Sequence, residues 1–238
     1  MNTPHKYWRV YNEALESLRK RDLAERCAAA GFTYDSGGID IPFFDRRYTL
    51  RVDDLRLETR AMECPEERVA TVDAASLPLE LQGKHLRDRI LILHYLDRAS
   101  GAALSGRMIG FDELAGGRFY GSAFRGRVEL ALVRAFALSP KSLVEIAQRL
   151  GGAPAPYGDC AVLLHPFPRV PLAIILWQGD EEMPANGKVL WDATAEEYLC
   201  VEDLTVLGES VVQKFRSLAL AALGAAQQPA LQTGGDDV

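Results

Sequence analysis

Residues 159–192 read DCAVLLHPFPRVPLAIILWQGDEEMPANGKVLWD, and two short apolar runs within them decide the fold. CAVLLHPF (160–167) and VPLAIILWQ (170–178) are continuous rather than alternating, and Pro and Gly bound them on either side. Runs of this length and composition suit strands buried on both faces, at the centre of a sheet that helices cover. KVLWD (188–192) adds a further short strand.

Upstream, residues 5–30 carry Trp8, Tyr11, Leu15, Leu18 and Leu23 at spacings of three to five, so an amphipathic helix is expected there, stopped by Gly31. The next segment turns β-rich. Gly37-Gly38 is an expected turn, and Tyr48, Leu50 and Val52 pair with Leu55 and Leu57 as a hairpin around Asp53-Asp54. A helix is expected over 79–98, then a short helical element at FDEL, a third helix over 121–138 and a fourth over 141–150. Ser139 and Pro140 stand where an N-cap and a first helical residue belong. A helix is expected to begin near Thr194, with Glu196 and Glu197 in its first turns, and another to continue through VEDLTVLGESVVQKFRSLALAALG. The whole reads as one α+β domain over residues 1–226, a central mixed or antiparallel sheet packed against several helices. The tail QQPALQTGGDDV (227–238) is polar and breaker-rich, and is expected to be disordered.

Composition narrows the function classes. Hydrophobic residues make up 48% and charged residues 25%, enough apolar material to fold. With 27 Lys and Arg against 33 Asp and Glu the formal charge is −6, which gives no long-range attraction for a phosphate backbone, so no nucleic-acid partner is expected. LALAALGAA is too short to span a bilayer and the start has no apolar run of signal-peptide type, so no membrane association is expected. Cys27, Cys64, Cys160 and Cys200 form no C-x-x-C pair and read as free thiols of a reducing, cytoplasmic compartment. Phosphate-loop, dinucleotide, zinc-protease, haem-attachment and serine-hydrolase signatures are all missing from the chain.

Several residues are candidates for chemistry. Asp180, Glu181 and Glu182 follow a strand and are bracketed by Trp177 and Pro184. Three adjacent acids form a solvated turn or, held over a cleft, a general base or a hard-metal site. Arg169, in the stiff HPFPRVP segment, is expected to pair with Asp180 or Glu182, anion recognition being the alternative. His94 is a structural hydrogen-bonding residue, a proton carrier or an axial ligand to a metallocofactor. His165, beside a proline-rich turn, is a candidate to share a metal with Asp180. GGRFYGSAF (116–124), followed by Arg125 and Arg127, either caps the core or admits a flat ligand, with Tyr120 as wall and a guanidinium on its carboxylate.

HYL (94–96), SGRMIGFDELAGGRFY (105–120), FPRVPLAIILWQGDEEMPA (167–185), LWD (190–192) and YLCVEDLTVLG (198–208) together resemble an uncharacterised family numbered 3786 among the domains of unknown function. The resemblance runs from about Leu81 to Leu207, with Met183 where an aromatic residue is usual and Trp191 where Phe is usual. It implies a bacterial or archaeal protein of anaerobic metabolism, whose relatives are joined to iron–sulfur modules or encoded near corrinoid enzymes. Trp177, Gly179, Asp180, Glu181, Glu182, Pro184, Asp192, Glu202 and Asp203 are motif matches without an assigned role.

The leading expectation is a ligand- or cofactor-binding accessory protein for a corrinoid or haem, working with a redox or corrinoid enzyme. His94 or His165 would meet the metal, Arg125, Arg127 or Arg169 the acidic groups, and Tyr120 and Trp177 the ring. The alternatives are an enzyme using the 180–182 acids and a protein-interaction module.

Overall fold

The computed structural model describes residues 4–35, 38–52, 55, 57–61 and 79–226. Among them the chain begins with two helices, α1 (Pro4–Leu18) and α2 (Leu23–Ala30), where one was expected. Asp22 makes the break: its side chain accepts the backbone N–H of Glu25 at 3.0 Å and so starts a new helix. Gly31, at φ 78°, ends α2 in the left-handed conformation that favours glycine. Strands β1 (Tyr34–Asp35), β2 (Gly38–Phe43), β3 (Arg46–Leu50) and β4 (Leu57–Ala61) follow as an antiparallel sheet in sequence order. Leu50 pairs with Leu57, so the expected hairpin is present; its Asp53-Asp54 turn and Gly37 lie outside the described residues.

Helix α3 (Leu79–Arg98) has the expected bounds and lies along α1, where Ser17 Oγ donates to Asp97 at 2.8 Å. After β5 (Met108–Gly110) and a single 3-10 turn at Phe111–Glu113 come α4 (Gly117–Phe124), a π-helical turn (Arg125–Glu129) and α5 (Leu130–Phe136). This stretch starts earlier than the expected third helix and contains a π turn that the apolar periodicity does not show. Helix α6 (Pro140–Arg149) begins on Pro140, but Ser139 makes no side-chain cap; its hydroxyl meets Ser142 instead.

The decisive segment forms β7 (Cys160–Phe167), β8 (Val170–Trp177) and β9 (Asn186–Asp192). With β5 and the short β6 (Ala153–Pro154) they make an antiparallel sheet ordered β5-β9-β8-β7-β6, so β8 is central. Leu172, Ile174 and Leu176 join the main core, and Ala173 and Ile175 on the other face are buried too. A 3-10 turn at Ala195–Glu197 then leads into one long helix, α7 (Val201–Ala226). Lys214 of α7, buried, pairs with Asp45 between β2 and β3, tying the last helix to the first sheet. Cys27, Cys160 and Cys200 are free thiols; Cys64 and the tail lie outside the described residues.

The end of β9 is fixed by Asp192, which is 1% exposed. Its carboxylate accepts the N–H and hydroxyl of Ser105 at 3.1 and 2.9 Å, the N–H of Gly106 at 2.8 Å, and the N–H and hydroxyl of Thr194 at 2.9 and 2.6 Å. It therefore clamps the 100–107 loop to the start of the α7 approach. Burial works to raise its pKa, but the donors from Thr194 and Ser105 outweigh burial and hold the carboxyl at about 2. A folded-state value below the unfolded one stabilises the fold above the unfolded pKa, and that contribution disappears as pH falls through the folded value. The shift from 3.8 to about 2 is worth about 2 kcal/mol. Asp192→Asn is expected to lower stability by at least about 2 kcal/mol in urea unfolding at pH 7. Its deficit relative to the parent should shrink as pH falls from about 4 to about 2.

Candidate functional site

The polar groups best arranged for chemistry gather where α3 ends and α7 begins. His94 sits in the penultimate turn of α3, and its Nδ1 is 2.9 Å from Asp203 Oδ1 in the first turn of α7. A carboxylate oxygen only accepts, so Nδ1 carries a proton, and in the neutral imidazole Nε2 is left with a free lone pair. Asp203 is 7% exposed, and its other oxygen accepts the Cys200 thiol at 3.0 Å, whereas the His94 side chain is 27% exposed. The carboxylate is thus buried and held from both sides, and the imidazole it orients reaches solvent. Beside it Tyr120, from α4, donates to Glu202 Oε1 at 2.7 Å. That bond lowers the Glu202 carboxyl and raises the Tyr120 phenol.

Local sequence explains the placement. Cys200 is the residue before α7, and its carbonyl accepts the first helical bond, from Leu204 N at 2.9 Å. Carboxylates at Glu202 and Asp203 suit the positive end of the helix dipole. A cysteine at such a position is ordinarily made more acidic by the helix. Here burial first, and then the Asp203 charge and its hydrogen bond, push the thiol up to about 12. Cys200 therefore stays a thiol at neutral pH and serves as a donor that steadies Asp203.

The other sequence candidates stand elsewhere. Asp180, Glu181 and Glu182 are all exposed, and none of them lines a described cavity. Asp180 Oδ1 accepts the backbone N–H groups of Met183 at 2.7 Å and Glu182 at 2.9 Å, which lower its pKa. That carboxylate closes its own turn, a common use of Asp in loops. Arg169 makes no ion pair with Asp180 or Glu182; its backbone N–H donates to Tyr95 OH at 3.1 Å, and its side chain lies over Gly31 at the end of α2. His165 is exposed on β7, close to the level of Leu172, whereas Asp180 lies beyond Trp177 at the far end of β8. Five strand residues of about 3.3 Å each separate those levels, so one ion does not reach both side chains. Among the described residues no three His, Cys, Asp or Glu side chains are grouped to hold a metal ion. Trp177 is half-buried beside Gly158. Arg127 pairs with Glu209 at 3.2 Å, and Arg125 is exposed on the π turn. The structure thus brings His94 and Tyr120 to one neighbourhood, through Asp203 and Glu202, and leaves Arg125, Arg127, Arg169, Trp177 and His165 on other parts of the surface.

If the Asp203 charge helps to silence Cys200, Asp203→Asn should speed alkylation of that residue by iodoacetamide at pH 8 by about tenfold or more, read by peptide mapping. A rate unchanged within about twofold would assign the effect to burial alone.

No helix among the described residues is long and apolar enough to cross a membrane. No curated protein and no solved structure matches the chain. Residues 22–214 match the model of a family described as Domain of unknown function (DUF3786), most of the chain including β9, the α7 approach and every group of the His94 site. The chain belongs to that family.

Proposed function

We propose that this chain is an accessory protein that binds a metal-centred cofactor, a corrinoid or a haem, with His94 as the protein ligand. The observation that carries the reading is the 2.9 Å contact from Asp203 to His94 Nδ1, with Nε2 left free on a partly exposed ring. A histidine that ligates a metal nearly always gives its other N–H to a carboxylate or carbonyl, which fixes the tautomer and strengthens the ligand. The donor set also fits the group. A bare ion needs three or four protein ligands, which the described residues do not gather, whereas a macrocycle brings its own ring nitrogens and would need one imidazole from the protein, that of His94. Such a cofactor supplies redox or alkyl-transfer chemistry when bound; the chain's own part is to offer Nε2, orient it through Asp203 and keep Cys200 protonated beside it.

The His94 side chain is 27% exposed, so the ring would rest against the open face around it. An open face suits transient holding and transfer to a redox or corrinoid enzyme. The proposed setting is the cytoplasm of an anaerobic prokaryote, in keeping with the free thiols Cys27, Cys160 and Cys200. The same oriented imidazole also supports a second reading, proton abstraction by Nε2 from a bound substrate, because a carboxylate-backed histidine is a standard general base.

Titration of the protein with aquacobalamin, and separately with ferric haem, followed by visible absorption, tests the first reading. Saturable one-to-one binding with a shifted spectrum is expected from at least one of them, lost in His94→Ala and weakened about 10- to 100-fold in Asp203→Ala. An equal shift in His94→Ala, or no saturable change with either compound, contradicts it.

A further inference from the structure

A polar hollow lies away from His94, where the π turn meets β9. It encloses about 270 Å³ and is lined by Phe111, Asp112, Phe124, Arg125, Glu129 and Lys188, among others. Glu129 is 3% exposed. Its Oε1 accepts Val189 N–H at 3.2 Å and lies 3.7 Å from Lys188 Nζ, while Oε2 has no hydrogen bond among the described residues. Burial pushes this carboxyl up, with Val189 N–H, Lys188 and Arg125 drawing it back and Asp112 adding to the rise. Oε2 is thus left to whatever occupies the hollow, water or a ligand.

The surroundings are built rather than accidental. Phe111 and Phe124 stack face to face at 3.9 Å and form a flat apolar wall. Gly121 lets the Asp112 carboxylate lie directly on α4, since a β-carbon there would collide with Asp112 Oδ1. Asp112 and Arg125 have no ion pair or side-chain hydrogen bond among the described residues, so each can turn to a ligand. The π turn itself, Arg125–Glu129, carries one cation and the buried acid at its two ends, and π turns recur at functional sites.

We infer that this hollow binds a small amino acid, its ammonium on Glu129 and Asp112 and its carboxylate on Arg125 and Lys188. Two carboxylates and two cations face the same space, so a zwitterion satisfies both pairs. A ligand with a single charge leaves one pair unanswered. The volume equals about nine waters at about 30 Å³ each, which sets a ceiling of about ten non-hydrogen atoms. The phenylalanine wall accepts the aliphatic part of the molecule. The site shares no residue with the His94 face, so it stands or falls independently of the cofactor proposal.

Calorimetric titration of the full chain with individual L-amino acids from alanine to glutamate tests it, with propionate and propylamine as controls bearing one charge each. At least one amino acid should bind one-to-one, with both controls at least about tenfold weaker. Arg125→Ala changes an exposed side chain and should leave the unfolding midpoint in place while weakening binding about tenfold; Lys188→Ala should weaken binding to a similar extent and lower the midpoint, because the buried Glu129 loses a cation. Glu129→Gln keeps an acceptor for Val189 and should remove the preference for the amino acid over propionate. No saturable heat up to about 10 mM with any amino acid, a range that corresponds to binding weaker than about 3 kcal/mol, overturns the proposal. Binding that is unchanged in Arg125→Ala and Lys188→Ala overturns it as well.

Discussion

Tyr95 is the piece on which the arrangement turns. Its ring stacks on Phe167 of β7 at 4.2 Å and 9°, Phe167 stacks in turn on Phe43 of β2 at 4.9 Å, and Tyr198 packs at 5.7 Å from the α7 approach. Its hydroxyl donates to the carbonyl of Ala30 at 2.6 Å and accepts Arg169 N–H at 3.1 Å. One residue of α3 thus joins both sheets, the end of α2 and the entry to α7. Burial raises its phenol well above the usual range, so it stays protonated and keeps donating. Removing a buried aromatic of this kind costs about 3–5 kcal/mol, a large part of a domain's total stability. Because successive helical residues are about 100° apart, a Tyr95 locked inward turns His94 toward the α3 edge that meets α7.

From that anchor the polar geometry follows. Tyr198 OH donates to the carbonyl of Ala102, and Asp192 clamps Ser105, Gly106 and Thr194, so the 100–107 loop and the approach to α7 have fixed positions. The first turn of α7 then brings Asp203 against His94, and α4 brings Tyr120 against Glu202. At the C-terminal end of α4, the stacked Phe111 and Phe124 support the π turn and its buried Glu129. The two polar sites therefore share one short helix, which contributes Tyr120 to one and Phe124 to the other.

Much of this scaffold was legible in the chain. The apolar run of β8 states its burial on both faces, whereas β7 leaves Leu163 half-buried and His165 exposed on one of its faces, and α3 shows its bounds in its periodicity. The Leu50 and Leu57 pairing follows from alternation alone. The α1–α2 break carried a visible signal, Asp22 followed three residues later by Glu25, which the continuous apolar stripe obscured. The site was harder to read. His94 and Asp203 are 109 residues apart, and no local pattern announces a contact at that range. Three adjacent acids at 180–182 draw attention, yet Asp180 spends its carboxylate on its own turn. Glu129 was missed altogether, although a lone acid inside VELALV, on a helix face otherwise apolar, is the signal that marks it.

The functional account rests on which nitrogen of His94 is left bare. Nitrogen-15 NMR of the imidazole, in its neutral form and assigned by comparison with His94→Ala, reads this directly. The account expects the proton on Nδ1, bonded to Asp203, and an unprotonated Nε2. A proton found on Nε2, or rapid exchange between the two tautomers, would contradict it.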